Sequence, residues 1–186
     1  MFIYSQTSID DLDNEKAVDV KIKSFMIHPE YASRTKYNDV ALLELERSID
    51  ESEFNRLLLP CCLHTENELI SNLNITGWGR NNSDSSFTVN WLQVASVSEV
   101  TMEDCNRNYA NLRTTELLKS QLCARGINSA DTCQGDSGGP IQYLKDEQLH
   151  IVGITSFGIG CGSLLPGIYS RVSSYIDWIE NIVWPN

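Results

Sequence analysis

One run of ten residues carries the strongest chemical signal in this chain of 186 residues. Residues 131–140 read Asp-Thr-Cys-Gln-Gly-Asp-Ser-Gly-Gly-Pro, so glycines closely flank Ser137. Glycine adopts positive φ without strain and lets a substrate approach the backbone closely. The N–H groups of Gly135 and Ser137 could therefore bind an oxyanion beside the Ser137 hydroxyl, as attack on a carbonyl requires. The run predicts an acyl-transfer site. The alternative is a plain glycine-rich turn, which six specified residues in a row disfavour.

The chain resembles the chymotrypsin/trypsin-like serine peptidases along nearly its whole length, and it is most similar to the arthropod clip-domain peptidases. Besides 131–140, the segments that carry the resemblance are 37–43, 76–80, 156–158 and 166–172. The resemblance implies an all-β fold of two packed six-stranded antiparallel β-barrels with a C-terminal helix, the first barrel being incomplete. The implied parts are a first-barrel remnant (1–60), a linker (61–71), the second barrel (72–172) and the helix (173–186).

The resemblance also assigns a role to each matching residue. Ser137 is the nucleophile, Asp39 orients the catalytic histidine, and Gly135 and Ser137 supply the oxyanion hole. Asp131, six residues before the nucleophile, is similar to the pocket-floor acid that selects Arg or Lys before the scissile bond. A solvated loop aspartate is the alternative for Asp131. The other substrate-binding positions are Ser156, Phe157, Gly158 and Gly167.

Two parts of the family pattern are missing from the chain. The family order is histidine, aspartate, serine, yet no Ala-Ala-His-Cys type segment precedes Asp39. The contexts of His28, His64 and His150 favour a surface or strand position for each. The new amino terminus that pairs with Asp136 after activation cleavage is also missing. We therefore expect an unpaired Asp136 carboxylate and a zymogen-like pocket.

We accordingly expect the 186 residues alone to be an inactive fragment of a trypsin-like serine endopeptidase. Loss of the histidine base lowers serine peptidase turnover about 10⁶-fold, or roughly 8 kcal/mol of barrier. Truncation explains the pattern better than decay, because Ser137, Asp39 and the pocket residues remain. The alternative is a non-catalytic homologue that acts as a binding or regulatory module in a protease cascade.

Six cysteines allow fifteen full pairings, and spacing alone does not choose among them. The resemblance implies the disulfides Cys105–Cys123 and Cys133–Cys161, each worth about 2–4 kcal/mol.

The two remaining cysteines are adjacent. Cys62 matches the position that tethers an N-terminal regulatory module in some zymogens, whereas Cys61 has no counterpart. Two free thiols are the alternative. The family's further bridge across the second barrel is replaced by Leu73 and Tyr143.

The net charge of −11 argues against nucleic acid and anionic membranes as partners, and leaves protein or peptide substrates. The cysteine usage indicates an extracellular protein, although residues 1–13 lack the features of a signal peptide. No cofactor is expected. Relatives bind calcium in the loop that holds Asp10, Asp11, Asp13 and Glu15, but the spacing here differs, so no metal site is expected.

Hydrophobic periodicity predicts strands over 18–23, 40–45, 91–97 and 149–155. Thr101 is a predicted helix cap, and Ser174 is a predicted cap for the C-terminal helix.

Overall fold

The computed structural model describes residues 2–4, 18–50, 52, 58–80, 88–112, 116–126 and 131–185. The acidic run at 10–15 lies outside these residues. The strands are β1 (Phe2–Tyr4), β2 (Ile22–Ile27), β3 (Ala41–Leu45), β4 (Leu58–Pro60), β5 (Cys62–Leu63), β6 (Leu73–Gly77), β7 (Gln93–Val100), β8 (Gln121–Gly126), β9 (Pro140–Lys145), β10 (Gln148–Phe157) and β11 (Gly167–Arg171). The helices are α1 (Met102–Tyr109), a 3-10 turn (Val172–Tyr175) and α2 (Ile176–Val183).

Six strands close into an antiparallel barrel. The order is β11-β8-β7-β6-β9-β10, and pairing of β10 with β11 closes the ring. Side chains that alternate along these strands fill the interior, as expected for a small barrel. The buried members of this core are Leu73, Ile75, Val97, Leu122, Ala124, Ile141, Val152 and Tyr169. The mostly-β fold with a short C-terminal helix confirms the predicted fold class.

The N-terminal part contains two separate two-stranded sheets among the described residues, β1 with β4 and β2 with β3. Strand β2 begins at Ile22, four residues later than predicted, because its pairing with β3 starts at Ile22 opposite Leu45. The predicted boundaries of the first-barrel remnant and the linker stay predictions.

One of the two predicted helix caps is present. Thr101 caps α1, since its Oγ1 accepts the Asp104 N–H at 3.2 Å. The prediction for Ser174 is wrong. Ser174 lies inside the 3-10 turn, and the N-cap of α2 is Tyr175, which makes no side-chain cap bond.

In the described part of the chain, no helix has the length and apolarity needed to cross a membrane.

Candidate active site

The run 131–140 forms a tight loop between β8 and β9. Gly135 and Gly138 have φ of +100° and +81°, a region that side chains rarely adopt. A Cβ at Gly135 would also lie only 3.1 Å from Gly79 Cα. Glycine at 135 is therefore required both by the backbone conformation and by the close approach of residue 79.

Two backbone N–H groups beside Ser137 are available as donors. The Arg80 N–H donates to the Gln134 carbonyl at 2.9 Å, which fixes the peptide between Gln134 and Gly135. A trans peptide directs its C=O and N–H oppositely, so the Gly135 N–H points away from Arg80. Within the described residues, neither the Gly135 N–H nor the Ser137 N–H donates to a backbone carbonyl. Their predicted role as an oxyanion hole stays a prediction.

Ser137 is exposed and lines a cleft of about 320 Å³. The cleft is also lined by Ser156 and Phe157, at the end of β10, and by Gly158, which follows them. Thr132 lines the same cleft. The structure thus brings the predicted nucleophile together with three of the five predicted substrate-binding residues, Asp131 and Gly167 being absent from the lining of this cleft.

Asp39, from the distant β2–β3 connection, contacts Ser156 of this cleft. The Ser156 Oγ donates to Asp39 Oδ2 at 2.5 Å, and the Ser170 Oγ donates to the Asp39 backbone carbonyl at 2.7 Å. Two hydroxyls of the barrel therefore hold the segment that carries Asp39. Its predicted role in orienting a histidine stays a prediction.

Asp136 is fully engaged by backbone donors. Its Oδ1 accepts the Gly79 N–H at 2.8 Å, and its Oδ2 accepts the Cys133 N–H at 2.9 Å. The carboxylate fills a space that side chains at Gly77 and Gly79 would occupy, since a Cβ there would lie 1.9 Å and 2.5 Å from its Oδ1. The expectation of an unpaired carboxylate is wrong, because two amides replace the charged partner.

Asp131 packs against Gly167, where a Cβ would lie 2.8 Å from its Oδ1. The same oxygen accepts the Thr132 N–H at 2.8 Å. Burial raises the pKa of Asp131 to about 6, and the charge of Asp136 adds to this shift. Asp131 and Asp136 line a cavity of about 200 Å³, which shares Thr132 and Cys133 with the Ser137 cleft. Asp131 lies in the wall of this neighbouring cavity, so its role as pocket floor stays a prediction.

None of the three histidines contacts Asp39 or Ser137 in the described structure. The His28 ring packs 5.6 Å from the Tyr175 ring and 4.9 Å from that of Trp178. His150 lies in β10, as predicted.

The surface position expected for His64 is wrong. It is only 4% exposed, because β5 turns it into the barrel, where its Nδ1 lies 3.1 Å from the Tyr143 hydroxyl.

Both predicted disulfides, Cys105–Cys123 and Cys133–Cys161, are present. The second ties the Ser137 loop to the loop that follows Gly158. Cys61 and Cys62 form no disulfide.

Among the described residues, no three His, Cys, Asp or Glu side chains are arranged to hold a metal ion.

Two features of the site were missed from the sequence. Arg80 and Gln134 line the cleft, and their backbone hydrogen bond fixes the peptide between Gln134 and Gly135. Gly77 and Gly79 form the cradle of Asp136. The two glycines on either side of Trp78 are the available sequence signal for the cradle.

Comparisons with known proteins agree with this geometry. The model of the Trypsin family matches residues 4–179. The chain therefore belongs to the trypsin family of serine proteases.

Its relatives include a CLIP domain-containing serine protease, C9, of Anopheles gambiae, which is 37% identical over 87% of this chain and 49% of that protein. Serine protease Hayan of Drosophila melanogaster is 36% identical over 90% of this chain and 28% of its own length. Melanization protease 1 of Drosophila melanogaster is 38% identical over 91% of this chain and 44% of its own length. The chain thus spans half or less of the length of these relatives.

Proposed function

We propose that this chain is the larger part of the catalytic domain of a secreted trypsin-like serine endopeptidase. The observation that carries the proposal is the loop at 131–140. It exposes the Ser137 hydroxyl to a cleft and leaves the N–H groups of Gly135 and Ser137 without backbone acceptors in the described structure. Both residues are exposed, so water satisfies these donors until a substrate carbonyl takes its place.

The reaction proceeds through an acyl-enzyme. The Ser137 Oγ attacks the peptide carbonyl and its proton passes to a histidine that lies outside these 186 residues. The N–H groups of Gly135 and Ser137 stabilise the oxyanion, and the amine product leaves after receiving the proton. Asp39, held by Ser156, orients the histidine. Water then hydrolyses the ester at Ser137.

Cleavage follows Arg or Lys. Asp131 is a partly desolvated carboxylate with a raised pKa, and a cationic side chain would restore its interaction with a charged partner. Gly158 and Gly167 leave room for a long side chain in the family arrangement, and Phe157 contributes an aromatic wall to the cleft.

Two disulfides support an extracellular location. We further propose activation from a zymogen, with Asp136 as the partner of the new amino terminus. The Cys62 thiol would link a regulatory N-terminal module.

A second candidate is a non-catalytic homologue that binds partners in a protease cascade. It is favoured by one observation, that all three histidines make their contacts away from Asp39 and Ser137. The coding sequence upstream of residue 1 would distinguish the peptidase from the non-catalytic homologue. An in-frame Ala-Ala-His-Cys type segment supports the enzyme, and a substituted histidine supports the homologue.

The decisive experiment is hydrolysis of an arginyl peptide amide by the upstream-extended protein after activation cleavage. We expect turnover by that protein and none by the 186 residues alone. Ser137→Ala should abolish it. The control Ser98→Ala, a β7 serine that bonds the Ser71 carbonyl, should leave it unchanged. No turnover by the cleaved, extended protein would reject the enzyme and favour the homologue.

A further inference from the structure

One end of the barrel is filled by polar side chains instead of apolar ones. His64 is buried there, with its Nδ1 at 3.1 Å from the Tyr143 hydroxyl of β9. The His150 ring of β10 lies 5.2 Å from the Tyr143 ring. Arg171 of β11 forms a buried ion pair with Glu99 of β7. The proposed peptidase chemistry uses none of these groups.

His64 directly follows β5, the short strand that joins the N-terminal part to the barrel. Strand β5 pairs with β10 at two positions only, Cys62 opposite His150 and Leu63 opposite Ile151. The His64 N–H extends this ladder by donating to the Ile151 carbonyl at 2.9 Å. Leu63 and Thr65 on either side are exposed, and Cys62 is half-buried with its Sγ donating to Gln148 Oε1 at 3.4 Å, so His64 is the most deeply buried side chain of the segment 62–65.

We propose that the contact between His64 and Tyr143 is a pH-sensitive latch that fastens β5 to the barrel, and that protonation of His64 releases residues 61–64. The latch is a property of the folded barrel and does not depend on peptidase activity. It would make the join between the two parts of the chain respond to mild acid.

The Tyr143 hydroxyl is the only hydrogen-bond partner of the His64 ring among the described residues. A hydroxyl can donate to Nδ1 or accept from it, so this contact is possible in either charge state, and the charged ring differs in carrying a donor on both nitrogens. Its Nε2 is buried and has no hydrogen-bond partner among the described residues. Protonation would therefore place a charged ring in a site that has no second acceptor for it.

The surrounding charges act in both directions. Burial lowers the pKa of His64, and the nearby His150 and Arg171 lower it further. Glu68 and Glu66, on the segment that follows β5, oppose this shift. Glu99 is already bound by Arg171. Burial is the largest of these effects, so the neutral ring is favoured in the closed state.

The direction of the pH response follows from this. The pKa of His64 is lower in the closed state than in the released segment, where it returns to about 6.5. The released state therefore binds more protons, and release becomes more favourable as the pH falls below about 6.5. The opening constant should rise up to about tenfold per pH unit, until the pH reaches the pKa of the closed state.

Hydrogen exchange of the whole chain at pH 7.5, 6.5 and 5.5, corrected for intrinsic exchange rates, measures this opening. We expect segment 61–64 to lose protection on acidification while β8 and β11 in the barrel wall keep theirs. His64→Gln should remove the pH dependence. The matched control His28→Gln replaces a histidine that packs on Tyr175 and Trp178, and it should respond like the unmodified protein.

Tyr143→Phe tests the partner with little change of shape. It should increase opening of 61–64 roughly 2- to 10-fold at pH 7.5, with the pH dependence retained because His64 still titrates. NMR titration of the His64 ring in the unmodified protein gives a test that needs no variant. A His64 pKa at or above 6.5, acid opening retained in His64→Gln, or opening of β8 and β11 in parallel with 61–64 would each overturn the latch.

Discussion

The closed barrel and the β2–β3 hairpin bury their apolar residues to opposite extents. Leu73 and Leu122 of the barrel are fully buried, whereas Phe25 and Leu43, which face each other across the hairpin, are 67% and 59% exposed. Every barrel strand is paired on both sides, so the barrel has no open edge. The hairpin has one pairing only among the described residues. Stability is therefore concentrated in the barrel.

The candidate site follows the same division. The Ser137 loop lies between two barrel strands, and the cleft-lining residues 156–158 lie at the end of β10 and just after it. Asp39 comes from the β2–β3 connection, and hydroxyls of Ser156 and Ser170 hold it. The less buried region thus supplies one site residue, whose position depends on the barrel.

The largest difference should appear when an ion pair is broken in each region. Arg171 and Glu99 are buried, the Glu99 side chain being only 1% exposed, so Arg171→Met leaves an uncompensated charge and should cost about 3–5 kcal/mol. The hairpin counterpart Lys23→Met removes an exposed pair with Glu44 and should change stability little. Urea denaturation measures both. Equal losses would contradict the comparison.

A leucine truncation in each region makes the same test without charge. Leu122→Ala in β8 removes a fully buried side chain and should cost about 2–5 kcal/mol in the free energy of unfolding. Leu43→Ala in β3 should change the free energy of unfolding by no more than about 0.5 kcal/mol, because most of that side chain already contacts water. A large loss at Leu43 would mean that this hairpin face is covered in solution.

The strands β7 and β10 and the glycines of the Ser137 loop were predictable because they depend on local signals, whereas the barrel was implied by the family resemblance. Apolar residues mark β7 and β10, and glycines at 135 and 138 permit positive φ where the loop needs it. Thr101 was predictable for the same reason, since a cap involves residues within one turn.

The parts that failed depend on partners far away in the chain. Asp136 was expected to be unpaired, but its carboxylate accepts hydrogen bonds from the N–H groups of residues 79 and 133, which no spacing rule connects with it. His64 follows a polar-looking segment, and only the parallel pairing of β5 with β10 reveals that it is buried. The strand over 18–23 failed because register with β3, not alternation, decides where β2 begins.

The disulfide Cys133–Cys161 stabilises the Ser137 loop but lies far from the β2–β3 hairpin in the sequence, so its removal should affect the two regions differently. Cys133–Cys161 closes a loop with a sequence separation of 28 residues, and replacing both cysteines by alanine should cost about 2–4 kcal/mol. Hydrogen exchange should show lost protection around 131–140 and no change in β2 and β3. Cys61→Ala, which removes a cysteine outside any disulfide, is the control and should have a smaller effect. Protection lost equally in the hairpin would show that the two regions unfold as one unit.

The smallest effect is a pH dependence that should differ in sign between the regions. In the barrel, burial raises the pKa of Asp131 to about 6. In the hairpin, hydrogen bonds from Lys23 and then Ser24 lower the pKa of Glu44. NMR titration should show that Asp131 gains its proton near pH 6. Glu44 should remain ionised at pH values below the ordinary pKa of a glutamate side chain.

The consequence for stability follows from the direction of each shift. Asp131 binds its proton more tightly folded than unfolded, where its pKa is about 3.9, so its contribution falls as pH rises from about 4 to about 6. Glu44 acts oppositely, because its lowered pKa makes a contribution that is lost as pH falls. Asp131→Asn should therefore gain stability relative to the unmodified protein as the pH rises from 4 to 6, and a constant difference would show that Asp131 is solvated.

Binding of benzamidine, a small arginine-like cation, should weaken below pH 6 only if the Asp131 carboxylate reaches the Ser137 cleft. That measurement separates the proposed pocket floor from a carboxylate confined to the neighbouring cavity.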